Sequence, residues 1–561
     1  MEPAHQSAAL CALRTGDMIH HLAPGLLIAL ITLACACQFA LIDPDFHHDG
    51  FVLQPGIDFQ QGRIPFRDSY QQYGLGESFF AWMIVAAFGE SLLALRLSTA
   101  LCYSAIAFLL WVVWRRFLPA WLTTLTCLIW LGMSPYFLRS FLPWSSVRAL
   151  LFEMLSLYYV LRFVEKGRIS SLFFAGLLCG MIWLCRWTVG TFLFVSLSFF
   201  LVLNGVAAFE PIAAKTNKNG LGRQLLFFCL GFFLILAPSF LFLVMEGALR
   251  DSYLQTVSSH LKVFNNVVGS FHETAMEIFG MVFLGRPNPN MGEYPTIEWS
   301  IISLVCLFMF LRGLCQLGRS DYELCYRDRI AFLLAVAGLG SLMQYYPVPC
   351  PRHLFWAASP VFGLLSYALW RVFRWAARTM AVPLTVLVLC LVFGQPLWLR
   401  ATEGWKKALS SHYVKFSEPM VFRGMKTDPA NAKELERVLL KIDELESIYP
   451  EKCFVIMHPD PIWNLLVRNV CRFHQVPALW QWLETVYPDY QENLKKIIRT
   501  QRPILLMVSY DDTSQTHLDV RMPDSYFEIY RAKLRPLGHD LKLALPTADA
   551  ARLIHCKAHD K

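Results

Sequence analysis

The chain has 561 residues, of which 55% are hydrophobic, 14% aromatic and only 16% charged. Soluble proteins carry about 25% charged residues, and disorder needs low hydrophobicity with high net charge. Both classes are excluded, and a mean hydropathy of +0.42 points to the membrane. The net charge of +8 is no nucleic-acid signal: the basic residues sit in short clusters between apolar runs, where orientation in a bilayer explains them.

A span needs about 20 apolar residues. In chain order the apolar runs predict spans at Leu22–Ile42, Ser91–Trp114, Trp121–Met133, Val147–Phe163, Leu172–Leu184, Val189–Leu203, Leu225–Met245, Trp299–Gln316, Ile330–Tyr345, Leu354–Trp370 and Met380–Leu399, about eleven in all. Leu22–Ile42 also has the small residues of a signal peptide, but its leading flank holds only Arg14, so it is read as a span. Ser78–Phe88 is too short to cross and is bracketed by Glu77 and Glu90; it predicts an interfacial helix. Basic clusters at Arg115-Arg116, Arg162 to Arg168, Lys215 to Arg223, Arg312 to Arg329 and Arg371 to Arg378 fall in alternate loops. The positive-inside rule makes those loops cytoplasmic. The N-terminus is then inside, and everything from Arg400 is outside.

The charge density changes there too. From Ala401 onward 23 Lys+Arg and 21 Asp+Glu occur in 161 residues, a normal soluble composition. The chain therefore divides into a membrane domain, 1–399, and a soluble domain, 400–561. In the tail, Asn431–Ser447 has helical apolar spacing, Cys453–Met457 reads as a buried strand, Pro461–Val470 and Trp480–Thr500 as helices, and Pro503–Val508 as a second strand. That order predicts a small α/β domain. No glycine-rich phosphate loop follows either strand. Most of the 16 Cys lie in apolar runs, and no CxxC pair exists. Cys453 and Cys471 are candidates for a disulfide if the tail is extracytoplasmic.

The first outer loop, Asp43–Gly76, is dense in ionisable groups: Asp43, Asp45, His47, His48, Asp49, Asp58, Arg63, Arg67 and Asp68, with Glu77 just beyond. A solvated surface loop would look the same by composition, but ionisable groups at the mouth of a bundle suit a polar site. His47-His48-Asp49 invites a metal reading; adjacent residues point in different directions, however, and seldom share one ion. A second outer loop holds Pro347, Pro349 and Pro351, then Arg352 and His353 at the start of a span. There a helix N-terminus favours an anion; the bland alternative is an interfacial anchor. Arg186 interrupts two spans on the same side. A cation at that depth is expensive unless paired, or else it snorkels. Arg139, and Lys262, His272, Glu273 and Glu277 in the long loop, are weaker candidates.

The first outer loop resembles that of the GT-C membrane glycosyltransferases, the superfamily of protein O-mannosyltransferases and lipid A aminoarabinose transferases. The matching segments are Asp49-Gly50, Gly62-Arg63-Ile64-Pro65-Phe66-Arg67-Asp68, Tyr73-Gly74-Leu75-Gly76, the helix at Ser78–Phe88, and Ser91-Leu92 to Arg96-Leu97. The Pro usual after Tyr-Gly is absent. The Arg352-His353-Leu354 segment is similar to a late outer loop of bacterial members. The resemblance implies a mainly α, polytopic transmembrane bundle with an extracytoplasmic α/β domain, in a bacterial inner (plasma) membrane with the active site outside. It implies transfer of a hexose or pentose from a polyprenyl-phosphate carrier to a lipid, polysaccharide or protein acceptor. Asp49 would be general base or help bind a divalent cation (Mg or Mn). Family members often have a second acidic residue in the next outer loop, but Ser134–Trp144 contains none, so Asp58, Asp68 or Glu77 must substitute, or the site has one carboxylate. His48 is a further catalytic candidate. Arg352, His353 and Arg186 are expected to hold the donor phosphate, arginine for its bidentate geometry. Two other functions compete. A transporter or flippase of a lipid-linked intermediate would more often show inverted repeats and mid-membrane charges. An assembly protein would be indifferent to loss of Asp49.

Overall fold

The computed structural model describes residues 15–46, 48–138, 140–206, 220–259, 276, 297–317, 326–345, 351–410, 412–458, 460–472, 486–510, 522–534 and 539–559. His47, Arg139, Lys262, His272, Glu273, Glu277, Pro347 and Pro349 lie outside the described residues.

The bundle comprises α1 (Thr15–Ala40), α2 (His48–Gln60), α3 (Leu75–Phe88), α4 (Leu92–Trp114), α5 (Ala120–Gly132), α6 (Ser145–Lys166), α7 (Ile169–Cys185), α8 (Trp187–Val206), α9 (Leu221–Met245), α10 (Ile297–Leu317), α11 (Tyr326–Ser341), α12 (Pro351–Ala358), α13 (Phe362–Ala376) and α14 (Ala381–Leu399). Ten of the eleven expected spans overlap a single helix, and the other, Leu354–Trp370, is divided between α12 and α13. Among the described residues, six helical stretches suffice by length and composition to cross a membrane: Leu22–Ala40, Leu92–Trp114, Trp187–Gly205, Leu221–Met245, Glu298–Leu317 and Arg378–Ala408. The others differ for local reasons. The α5 and α7 helices are short, α6 carries Arg148, Glu153, Arg162 and Glu165, and the expected Leu354–Trp370 span is split by a 3-10 turn at Ser359–Val361, where Pro360 cannot donate a helical N–H.

One correction bears on the site. The first outer loop is not a solvated surface loop: its middle is α2, and nine of that helix's residues are buried, among them Asp49, Phe51, Leu53, Ile57 and Asp58. Apolar side chains in this segment need a partner surface, and the tail supplies it. Phe46, Phe51, Val52, Leu53, Ile57, Tyr70, Leu92 and Leu95 share one hydrophobic cluster with Phe422, Ile456, Trp463 and Leu506. Gly50 shows how close the approach is: a Cβ there would lie 2.3 Å from the backbone N of Ile462.

The tail begins with a two-stranded antiparallel ribbon, β1 (Val414–Lys415) and β2 (Lys426–Thr427). Lys426 clamps the end of the first span through Asp43 N to Lys426 O at 2.8 Å and Lys426 N to Leu41 O at 2.7 Å. After it come α15 (Pro429–Ile448), β3 (Phe454–Met457), α16 (Tyr490–Gln501), β4 (Ile504–Tyr510), β5 (Tyr526–Leu534), β6 (His539–Pro546) and α17 (Thr547–His559). Asp428 caps α15 by accepting from Ala430 N, with Pro429 at the first helical position; both choices suit a helix start. The sheet order is β3-β4-β6-β5, with β3 and β4 parallel and β6 antiparallel to both neighbours. Pro461–Val470 is not a helix: only Pro461–Leu465 forms a 3-10 turn. The chain then runs beside β3, with Phe454 N donating to Asn469 O and Cys471 N to Phe454 O. Cys453 and Cys471 close this segment as a disulfide with a Cα–Cα distance of 5.2 Å.

Candidate active site

Trp144 forms the centre of the candidate site. It precedes α6 and is buried, with an indole Nε1 that has no hydrogen-bond partner among the described residues. Around it lie the rings of His48 at 4.5 Å, Tyr73 at 5.8 Å, His353 at 5.9 Å and Trp356 at 5.9 Å between centroids. The Arg352 guanidinium stands 5.4 Å from the Trp144 ring centroid, and that of Arg186 stands 6.0 Å from Tyr73. Five chain segments meet here. Proximity of the backbones is set by Gly74, where a Cβ would lie 1.9 Å from Leu184 O at the end of α7; glycine is required for that contact.

His48 Nδ1 lies 2.9 Å from Asp45 Oδ1, and the same oxygen accepts from the His48 backbone N at 2.9 Å. The carboxylate thus fixes the ring at the start of α2. With Nδ1–H donated to Asp45, Nε2 is the basic nitrogen of the neutral ring. The side chain is 21% exposed, so a substrate can reach it.

Asp49 is placed differently. Its Oδ1 accepts from Arg96 Nε at 3.2 Å, and its Oδ2 from Arg96 Nη2 at 2.6 Å and from Asp45 N at 2.7 Å. Both side chains are 0% exposed. Arg96 also donates to the carbonyls of Ile42 at 2.9 Å and Asp43 at 3.0 Å, so the pair ties α4 to the end of α1 and the start of α2. Burial pushes the Asp49 carboxyl up to about 7, against the pull of Arg96. The expected open general base is therefore a committed, enclosed carboxylate.

Among the described residues no contact brings Asp58 or Asp68 to Trp144. Asp58 is buried and accepts from Gln54 at 2.9 Å, Arg63 at 2.5 Å and Arg472 at 2.8 Å, so it fastens α2 to the tail. Asp68 accepts from Ile64 N at 3.0 Å and pairs with Arg67 at 2.9 Å, closing the Gly62–Asp68 turn; those guanidinium and amide contacts hold its carboxyl below the usual range.

Arg186 caps α7 in extended conformation and donates to Ser146 Oγ at 2.6 Å. Arg352 opens α12, and the buried His353 ring packs on Trp356 at 5.7 Å. Burial raises the Tyr73 hydroxyl well above its ordinary value, and Arg186 and Arg352 both oppose that; two cations therefore act on one hydroxyl. Glu77, at the start of α3, pairs with Arg148 at 2.5 Å. Burial raises its carboxyl, opposed first by Arg148 and also by Arg186. Arg148 Nη2 has no hydrogen-bond partner among the described residues. Buried polar atoms are normally satisfied, so Arg148 Nη2 and Trp144 Nε1 are donors that a polar ligand would complete. Among the described residues no three His, Cys, Asp or Glu side chains converge.

Sequence reasoning missed Asp45, Trp144 and Arg96 as site residues. Asp45 was legible as a carboxylate three residues before His48. Trp144 carried no local signal, because its role comes from five distant partners.

Residues 74–217 match the family model of dolichyl-phosphate-mannose-protein mannosyltransferases. Similar solved structures are the Archaeoglobus fulgidus oligosaccharyltransferase in the apo form, at 12% identity over 89% of this chain and 70% of that one with a TM-score of 0.45, and ArnT from Cupriavidus metallidurans. The apo ArnT covers 94% of this chain and 98% of its own at 12% identity and TM-score 0.46. The form bound to undecaprenyl phosphate covers 95% and 98% at 12% identity and TM-score 0.41. No curated protein sequence matches. The chain is a polytopic helical membrane protein with a small C-terminal sheet domain. It resembles the GT-C glycosyltransferases, and the family match extends that resemblance from the first outer loop through α8.

Proposed function

We propose that this protein transfers a sugar from a polyprenyl-phosphate donor to an extracytoplasmic hydroxyl acceptor. The observation that carries the reading is the convergence of Arg186 and Arg352 with the His48–Asp45 pair around Trp144 and Tyr73. An acceptor hydroxyl is a poor nucleophile and needs a base within hydrogen-bond reach. His48 Nε2 takes its proton, and Asp45 stabilises the imidazolium. Bond breaking at the anomeric carbon leaves negative charge on the carrier phosphate, which the two guanidiniums stabilise. The Trp144 and Tyr73 rings offer apolar faces to the sugar ring.

In this reading the Asp49–Arg96 pair is the frame. A second reading keeps Asp49 as the general base: it lies one residue from His48 at the start of α2, and burial raises its proton affinity toward the range a base needs, provided Arg96 releases it. Domain 1–399 then carries the chemistry and 400–561 packs over its outer mouth. Reporters fused after Arg400 and at Lys218 should fall outside and inside; both on one side would move the site off its face.

The direct test is purified protein in lipid, assayed against a panel of polyprenyl-phosphate sugars with cell-envelope lipid, polysaccharide and protein acceptors. Release of the free carrier phosphate with a glycosylated acceptor supports the proposal. Carrier movement across the bilayer without glycosyl transfer would replace it with a flippase.

A further inference from the structure

At the opposite end of the bundle, a cavity of about 630 Å³ opens between α10, α11 and α13. Four arginines line it: Arg312, Arg327, Arg371 and Arg374. Distance from the sugar site is set by α11, whose 16 residues span about 24 Å between this end and the segment leading to Arg352.

The arrangement is built rather than incidental. Asp328 is buried behind this lining and accepts from Arg312 Nη1 and Nη2 at 3.3 and 3.2 Å, from Arg371, and from the Tyr367 hydroxyl at 2.9 Å. One carboxylate thereby orients two guanidiniums, each with five donors, and cannot occupy them all. Arg327 and Arg374 are exposed and have no acidic partner among the described residues. Among the described residues, the lining holds four arginines and no carboxylate. The remaining wall is apolar, with Phe308 59%, Val372 57% and Trp375 89% exposed.

A positive-inside signal requires only that charges lie in the loop; it does not require them to converge on a cavity with aromatic walls. We propose that this cavity binds the phosphate headgroup of an anionic phospholipid, with the acyl chains along Phe308, Val372 and Trp375. Basic pockets between helices on the cytoplasmic side take such headgroups, and the apolar wall selects a lipid over free phosphate. The inference is independent of the sugar chemistry.

The test uses the full chain in detergent, titrated with phosphatidylglycerol, phosphatidylcholine or inorganic phosphate, with bound lipid counted by native mass spectrometry. Each guanidinium near an anionic headgroup is worth about fivefold, so Arg327→Ala with Arg374→Ala should weaken phosphatidylglycerol binding about thirtyfold. Phosphatidylcholine binding should be weak and unchanged in the variant. The charge-keeping pair Arg327→Lys with Arg374→Lys should retain most of the phosphatidylglycerol affinity. Equal phosphatidylglycerol binding by wild type and the alanine variant overturns the site. Displacement of the lipid by an equal concentration of inorganic phosphate overturns the lipid assignment.

Discussion

Asp49→Asn looks conservative, since it keeps the shape and removes one charge. The structure predicts otherwise. Asp49 and Arg96 are both fully enclosed and joined at two points. Removing the carboxylate leaves a buried guanidinium with carbonyl partners alone. Breaking a buried pair from one side costs about 3–5 kcal/mol, so Asp49→Asn should lower thermal stability in detergent at pH 8 by several degrees. Arg96→Gln should do the same. The double variant Asp49→Asn with Arg96→Gln removes both charges and keeps amide donors for the carbonyls, so it should regain at least half of the lost stability. Activity per folded molecule then separates the roles. If Asp49 is the frame, the double variant recovers sugar transfer together with stability. If Asp49 is the base, stability returns and the rate stays down by about 10²–10⁴. An Asp49→Asn protein with wild-type thermal stability would refute the reasoning, because no buried charge can have been orphaned.

Three further outcomes follow from the same geometry. His48→Gln should cut transfer by about 10²–10⁴ while unfolding at the wild-type temperature, since its ring is partly exposed; retention of more than a tenth of the rate removes it from the base role. Arg352→Ala and Arg186→Ala should raise the donor KM, with Lys only partly restoring Arg352 because an ammonium lacks the planar fork; unchanged donor dependence in both alanine variants reduces them to interfacial anchors. The pH dependence has a defined sign. Burial raises Asp49 from 3.8 to about 7, so between those values the folded chain holds a proton that the unfolded chain has released. This group's contribution to stability is therefore lost as pH rises from about 4 through 7. Asp49→Asn should flatten that slope relative to wild type, and identical slopes would contradict the shift.

The sequence by itself determined the helical membrane class, because runs of about 20 apolar residues have few other uses. It placed the helix containing Ser78–Phe88 and the α15 helix through their periodicity and bounding charges, and it ordered β3 and β4 through short buried patterns. It did not reveal α2. His48–Gln60 holds Pro55 and two glycines and has no amphipathic stripe, and it is ordered by packing against the tail at Ile462 and Trp463. Nor did it reveal β5 and β6, where Tyr526–Leu534 and His539–Pro546 carry charged residues on their alternating pattern.

At the site the division is sharper. Residue type and proximity in the chain singled out Asp49, His48, Arg186, Arg352 and His353, but could not rank them. A carboxylate next to a histidine reads the same whether it faces substrate or an arginine 47 residues away. Only the tertiary structure decided that Asp49 meets Arg96, that Asp58 meets Arg472 of the tail, and that Trp144 stands between His48 and Arg352. Burial and partner set a carboxylate's charge state, and both are properties of the folded chain.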